Sequence, residues 1–351
     1  MDYTFSYETV ATGDGIVGRS EQIQNFMEAY DKDNRHIAMY GAPRSGKETV
    51  ILEALERLRR GGRKFHVCEI DLFNVRSYPE LASTFRSSMQ QCFREVNKGL
   101  MLPFDIDITA IPDSKLFDLP EIMAEEANCQ IVIYFKEFQN ILSCEGEELP
   151  LDKLDRQWAK QKRVKYILTG SFVNMMKSMM EERKLFYYTS ILVELPRLDR
   201  RKVCDFITSS FLKLGRVIEA EEAMEICDIA SCDMWYVKQM CSTCYSQPAG
   251  YINRKVVNHA ARTLISVHAP RFKQIMNDLT VNQINFIKAL IDGVDKFSSA
   301  DILDRYRLNS SANVFRIKDA LKKKEVVEFD RDDNARILDP LFEYWLRNIY
   351  F

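Results

Sequence analysis

The sequence predicts an α/β protein built on a parallel sheet, followed by an all-helical stretch and a terminal module of helices and a β-hairpin. Three observations carry this. Short apolar, largely β-branched segments alternate with amphipathic helical stretches as far as Leu195. Beyond Pro196 the strand pattern stops, and helical periodicity runs from Asp199 to His268. The remainder returns to mixed structure. Strands buried on both faces read as continuous apolar runs, and their alternation with helices is the pattern of a parallel sheet joined by crossovers.

The expected strands are 36–41, 65–71, 130–135, 164–169 and 191–195. A helix over 20–31 opens with Ser20 as a cap ahead of Ile23, Phe26, Met27 and Tyr30. A second, over 47–60, carries Val50, Ile51, Leu52, Leu55 and Leu58 and stops at Gly61-Gly62, since glycine readily takes the left-handed conformation that ends a helix. Pro270 marks an expected boundary. Helices over 279–293, 298–305 and 311–324 follow, then strands over 326–329 and 335–338 around a polar turn at 330–334. Three helices and a hairpin are the pattern of a winged helix-turn-helix.

A length of 351 residues suggests about two domains. With 46% hydrophobic and 28% charged residues, the chain is not disordered. The 49 basic and 51 acidic residues leave a net charge of -2, so nucleic-acid binding would need a local basic patch. The N-terminal stretch has neither a basic nor an apolar region of the signal-peptide kind. The longest apolar run, 130–135, is far short of the roughly 20 residues that span a bilayer. No membrane association is expected. Nine cysteines without a secretory signal read as reduced thiols in a cytoplasmic protein.

The sharpest local signal is Gly41-Ala42-Pro43-Arg44-Ser45-Gly46-Lys47-Glu48-Thr49, between an expected strand and an expected helix. This is the context required of a phosphate loop. Glycines let successive N–H groups turn inward toward phosphate oxygens, the helix N-terminus adds partial positive charge, and Lys47 reaches the outer phosphates. The pattern departs at Glu48, where a Ser or Thr hydroxyl would serve Mg²⁺. A second buried strand ends in Phe135-Lys136-Glu137-Phe138-Gln139. In phosphate-loop enzymes a carboxylate pair stands here, one holding the metal and one polarising water. Glu137 is present, but Lys136 takes the metal-binding position. A third strand ends in Thr169-Gly170-Ser171, where a hydroxyl can sense a γ-phosphate or Ser171 can simply cap the next helix.

Together with Val17-Gly18-Arg19-Ser20-Glu21-Gln22-Ile23 upstream of the loop, these segments resemble the archaeal-type ATPase family, which is similar to AAA+ and STAND ATPases. The likeness extends through Ile167–Ser171 with Met175-Met176, through Trp235–Gln239, and through Leu279-Thr280, Gln283 and the ending Asp339–Arg347. It implies an AAA+-like core over 1–197, a helical lid over 198–269 and a winged helix over 270–351. It implies ATP or ADP as ligand, with Val17, Gly18 and Arg19 near the base, Gly41 to Thr49 at the phosphates and Pro196 at the lid entrance. Glu137 and Thr169 are the candidate catalytic groups. Glu48 and Lys136 put metal-dependent hydrolysis in doubt and are expected to pair with each other. The segment Leu185–Thr189 lacks the arginine that many members carry there.

Other features weigh less. Cys227, Cys232, Cys241 and Cys244 have irregular spacing, and 235–245 reads as helix, so buried thiols are preferred to a zinc site. The histidines at 36, 66, 259 and 268 form no ligand pattern. Helix 311–324 holds Arg316, Lys318, Lys322, Lys323 and Lys324, which suits DNA phosphates, although residues 270–351 hold 14 basic against 13 acidic side chains. The acidic loop with Glu145, Glu147 and Glu148 reads as solvated. The leading expectation is a nucleotide-binding switch protein with impaired hydrolysis, acting on a protein partner or a second copy. The alternatives are a DNA-binding or protein-interaction scaffold with a vestigial site, and a working ATPase with unusual metal ligands.

Overall fold

Strands β1 (His36–Tyr40), β2 (His66–Asp71), β3 (Ile131–Lys136), β4 (Val164–Gly170) and β5 (Ser190–Leu192) form one sheet in the order β2–β3–β4–β1–β5. All four neighbouring pairs are parallel. The computed structural model describes residues 4–32, 35–98, 105–330 and 332–351; Arg331 of the expected hairpin turn lies outside them. The chain divides into two compact units. The first holds Ser20–Pro43 and Lys47–Leu195, and the second holds Met1–Arg19, Arg44–Gly46 and Pro196–Phe351.

In the first unit the sheet carries α1 (Ser20–Tyr30), α2 (Lys47–Arg60), α3 (Tyr78–Lys98), α4 (Leu119–Glu126), α5 (Leu151–Trp158) and α6 (Val173–Lys177). Residues Ile131 to Phe135 of β3 are all buried, as a central strand covered on both faces requires. Helix α2 buries Val50, Ile51, Ala54, Leu55 and Leu58, a single stripe at helical spacing, and ends as Gly62 turns to φ +90°. Beyond the sheet, Trp158 stacks on Tyr166 at 4.1 Å and on Phe135 at 5.5 Å, fixing the centre of the core. Because every strand runs the same way, the C-terminal ends of β1, β3 and β4 share one edge, where open α/β sheets bind ligands.

The second unit begins with α7 (Arg200–Lys213), β6 (Val217–Ile218), α8 (Ala220–Ile229), α9 (Met234–Ser246), β7 (Tyr251–Ile252) and α10 (Arg254–Asn277). Asp199, Asp233 and Asn253 cap α7, α9 and α10 through two backbone N–H groups each. The terminal module follows as α11 (Val281–Ile291), α12 (Ala300–Arg305), α13 (Ser311–Lys323), the antiparallel pair β8 (Val327–Phe329) and β9 (Ala335–Ile337), and α14 (Pro340–Trp345). Thr280 and Gln283 close a reciprocal capping box at α11.

Two expectations are corrected here. Strands do not stop after Pro196: β6 and β7 pair in parallel, two residues each, too short for any periodicity to reveal. Nor does Pro270 end a helix, since α10 runs through it. An internal proline costs about 3 kcal/mol in lost hydrogen bonding and steric clash. The helix continues because Leu264, His268, Phe272 and Met276 form one buried stripe on both sides of the proline.

Candidate nucleotide site

In the first unit, β1 delivers Gly41, Ala42 and Pro43, and Gly41 N–H donates to the Gly170 carbonyl at the end of β4 at 3.2 Å. Lys47 opens α2. Its ammonium donates to the carbonyls of Gly41 at 2.7 Å and Ala42 at 2.9 Å. Burial pulls its pKa down to about 8, against the opposing pull of Glu137 and Glu48. Thr49 follows, half-buried in the first turn of α2.

Glu48, one residue further along α2, meets the last residue of β3. Lys136 Nζ donates to Glu48 Oε1 at 2.6 Å, as the paired substitutions suggested. A second carboxylate joins them, with Glu69 Oε2 at 2.9 Å from the same nitrogen. Glu69 lies on β2, whose register sets it beside Tyr134 on β3 and Asp71 beside Lys136. Lys136 Nζ also stands 5.3 Å from the Tyr134 ring centre. Burial lowers the affinity of Lys136 for its proton, but the hydrogen bonds and charges of Glu48 and Glu69 outweigh this and hold the ammonium above the ordinary lysine range.

Glu137 adopts a left-handed backbone, φ 52°, which turns it out of the strand direction. Its Oε2 accepts from the Ser171 N–H at 3.2 Å, from the Ser171 hydroxyl and from Gln139 Nε2 at 2.8 Å. Thr169 is buried, and its hydroxyl donates to the Phe135 carbonyl at 2.9 Å, tying β4 to β3.

The second unit holds the remaining candidate residues. Val17 is partly buried against its apolar core. Gly18, at φ +67°, leaves only 3.0 Å between a would-be Cβ and Leu198. Arg19 is buried and donates to the Pro196 carbonyl at 2.6 Å and to the Ser45 carbonyl at 3.1 Å. Burial brings its pKa down to about 10, with Asp233 opposing. The guanidinium of Arg44 lies 3.9 Å from the Trp235 ring centre. Ser45 Oγ is buried without a hydrogen-bond partner, and Gly46 stands at φ +94°, which side chains rarely adopt.

Sequence reasoning missed Glu69 as part of the Lys136 group. The available signal was a carboxylate set between Cys68 and Ile70, the two buried positions of β2. It also missed Ser171 and Gln139 as partners of Glu137, and Trp235 as the platform for Arg44. Among the cysteines, Cys204 and Cys227 have their sulfurs 3.2 Å apart, while Cys241 and Cys244 are fully buried in the helical core, where burial raises their pKa values. Among the described residues, no group of three His, Cys, Asp or Glu side chains could hold a metal ion, and no helix is long and apolar enough to cross a membrane.

On α13 and its C-cap, Lys324, most cationic heads are occupied within the module. Lys318 pairs with Asp333, Lys323 with Asp319 at 2.9 Å, and Lys324 donates to the Asp278 carbonyl. Lys322 lies 5.5 Å from the Phe329 ring centre. Arg316 and Phe315 are exposed, the latter at 74%.

A Walker-type ATPase of Pyrococcus abyssi superposes with TM-score 0.73 at 16% identity, over 98% of this chain and 99% of that one. The ORC2 protein of Aeropyrum pernix, in ADPNP and ADP complexes, superposes with TM-score 0.64 at 14% identity, over 97% and 96%. The ORC1 protein of the same organism, solved with DNA, superposes with TM-score 0.52 at 12% identity, over 99% and 96%. The chain therefore has an α/β P-loop NTPase fold of the AAA+ class, with the archaeal ORC/Cdc6-like Walker-type ATPases as its structural neighbours. Its residues 270–348 match the family model "Probable winged helix domain". A sequence comparison with curated proteins finds no match.

Proposed function

We propose that this protein is a nucleotide-binding switch of the AAA+/STAND type that holds ATP or ADP at its phosphate loop and hydrolyses it poorly or not at all. The observation that carries the reading is Lys47, a partly desolvated ammonium at a helix N-terminus whose hydrogen bonds, among the described residues, go to two carbonyls of its own loop. Those bonds are what phosphate oxygens would take over. The position of Lys47 at the N-terminus of α2 also suits phosphate, since free N–H groups there carry partial positive charge. A bound nucleotide would supply negative charge and three acceptor oxygens per phosphate. The proposal assigns phosphates to residues 41–49, and the base to Val17, Gly18 and Arg19, with Pro196 at the start of the helical region.

Impaired hydrolysis is supported by Lys136, a cation at the position of a metal-binding carboxylate. It is supported also by Glu137, whose Oε2 already accepts from Ser171 and Gln139. Turnover is expected near background, with Glu137 and Thr169 contributing little. The proposed output is a conformational change read by a protein partner or a second copy, in the cytoplasm.

Calorimetry with ATP and ADP, alongside phosphate release, tests the reading. Submillimolar binding with negligible release is expected, and no binding at millimolar nucleotide would leave the scaffold alternative. Affinity should also depend on pH. Free Lys47 loses its proton near pH 8, and a bound polyphosphate restores it, so binding takes up a proton above that pH. Affinity is expected to fall as pH rises past about 8, by at most about tenfold per unit. Lys47→Arg, charged throughout, should flatten that dependence in dissociation constants measured at neutral and alkaline pH.

DNA is tested separately by titrating duplex at low salt. Because Lys323, Lys324 and Lys318 are engaged within the module, only weak binding is expected. Should a salt-dependent complex form, reversing Lys322, Lys323 and Lys324 to glutamate should reduce the slope of log affinity against log salt by roughly 2–3. An unchanged slope would exclude this face.

A further inference from the structure

The fold class ordinarily brings Mg²⁺ with its nucleotide, through a hydroxyl after the loop lysine and a carboxylate at the end of the β3 strand. Neither of those two positions holds that group, although Thr49 and Glu137 stand one residue further on. Glu48 replaces the hydroxyl, Lys136 replaces the carboxylate, and the two side chains meet at 2.6 Å. Glu69 holds the same ammonium from the other side at 2.9 Å. A divalent ion between Glu48 and the phosphates would stand against a fixed positive charge whose proton both carboxylates retain. These residues do not fit the metal.

We infer that the Lys136 ammonium, clamped between Glu48 and Glu69, takes the place of the divalent cation, so that this phosphate loop binds nucleotide independently of metal. The inference rests on the nucleotide reading above and adds to it the ionic form of the ligand. Its logic is local: the ammonium offsets Glu48 beside the loop, and the one negative charge that the three-member group keeps in excess is left for Lys47 and the loop N–H groups to outweigh. A bare Glu48 beside polyphosphate would repel it, and Lys136 neutralises that carboxylate. Glu69 is the third member of the group, and the Tyr134 ring centre lies 5.3 Å from the ammonium. Lys47 is free of this group, donating to the Gly41 and Ala42 carbonyls, and so stays available for phosphate. Two chance losses in a decaying site would not require opposite charges, nor a second carboxylate on β2 within 3 Å.

The test is calorimetry of the full chain with ADP and with ATP, in EDTA and again in excess Mg²⁺. Dissociation constants are expected to agree within about twofold between the two buffers. The variant Glu48→Thr/Lys136→Asp rebuilds the hydroxyl and carboxylate, and should bind at least tenfold more tightly in Mg²⁺ than in EDTA. Should that variant fail to fold, Lys136→Met serves instead, with at least a tenfold loss of affinity in EDTA expected. Wild-type binding that requires Mg²⁺, or Lys136→Met binding as well as wild type in EDTA, overturns the inference and leaves the nucleotide reading standing. Wild-type protein that binds in neither buffer overturns both.

Discussion

Lys47→Ala is expected to abolish nucleotide-induced stabilisation. A ligand that binds only the folded state stabilises it by mass action, by about 2.7 kcal/mol at a hundredfold excess over its dissociation constant. Lys47 opens α2 at the end of the loop, and its ammonium already lies within hydrogen-bonding distance of two loop carbonyls. Removing it leaves the N–H groups of the loop and the helix terminus, which supply partial charges only. The variant should fold normally, because Lys47 is not part of the apolar stripe of α2. Thermal unfolding with and without nucleotide is the measurement: the wild type should shift and the variant should not. A variant that shifts as far as the wild type would mean that nucleotide binds elsewhere.

Gly170→Ala is expected to destabilise the first unit by about 1–3 kcal/mol, the usual cost of overpacking a core. A Cβ at this position would stand 2.4 Å from Met176 Cγ and 2.5 Å from Gln139 Oε1. Neither neighbour can move away easily, since Met176 is fully buried and Gln139 nearly so. Gln139 also donates to Glu137, so displacing it disturbs the carboxylate at the end of β3. Chemical denaturation of Gly170→Ala, Met176→Ala and the double variant decides the cause. If the clash is responsible, the double variant should be less unstable than the two single losses added together. Simple additivity would place the cost in the backbone instead.

Both predictions rest on an edge of the sheet that was largely legible in the sequence. The five strands, the loop between β1 and α2, and the Glu48–Lys136 pair followed from local pattern and from charge. Glu48 and Lys136 stand at two positions that serve one metal ion in phosphate-loop enzymes and carry opposite charges, and opposite charges brought together by a fold pair. Glu69 was less legible, because its link to Lys136 depends on β2 lying beside β3 with Glu69 opposite Tyr134, and strand order is not encoded in any short window. The partners of Glu137 were hidden for a related reason. Ser171 lies 34 residues away, just past the end of β4, the strand that runs beside β3.

The sequence by itself determined the class of fold and the strand–loop–helix around Gly41–Thr49, since each depends on residues close together or on hydrophobic periodicity. Tertiary structure alone decided three further features. It carried α10 through Pro270, because a buried stripe on both sides outweighs one lost hydrogen bond. It paired β6 with β7, two residues apiece, which only the surrounding helices can bring together. And it supplied the second carboxylate on Lys136. In each case the stabilising contacts join segments distant in the chain, and their energy exceeds the local preference that a single sequence displays.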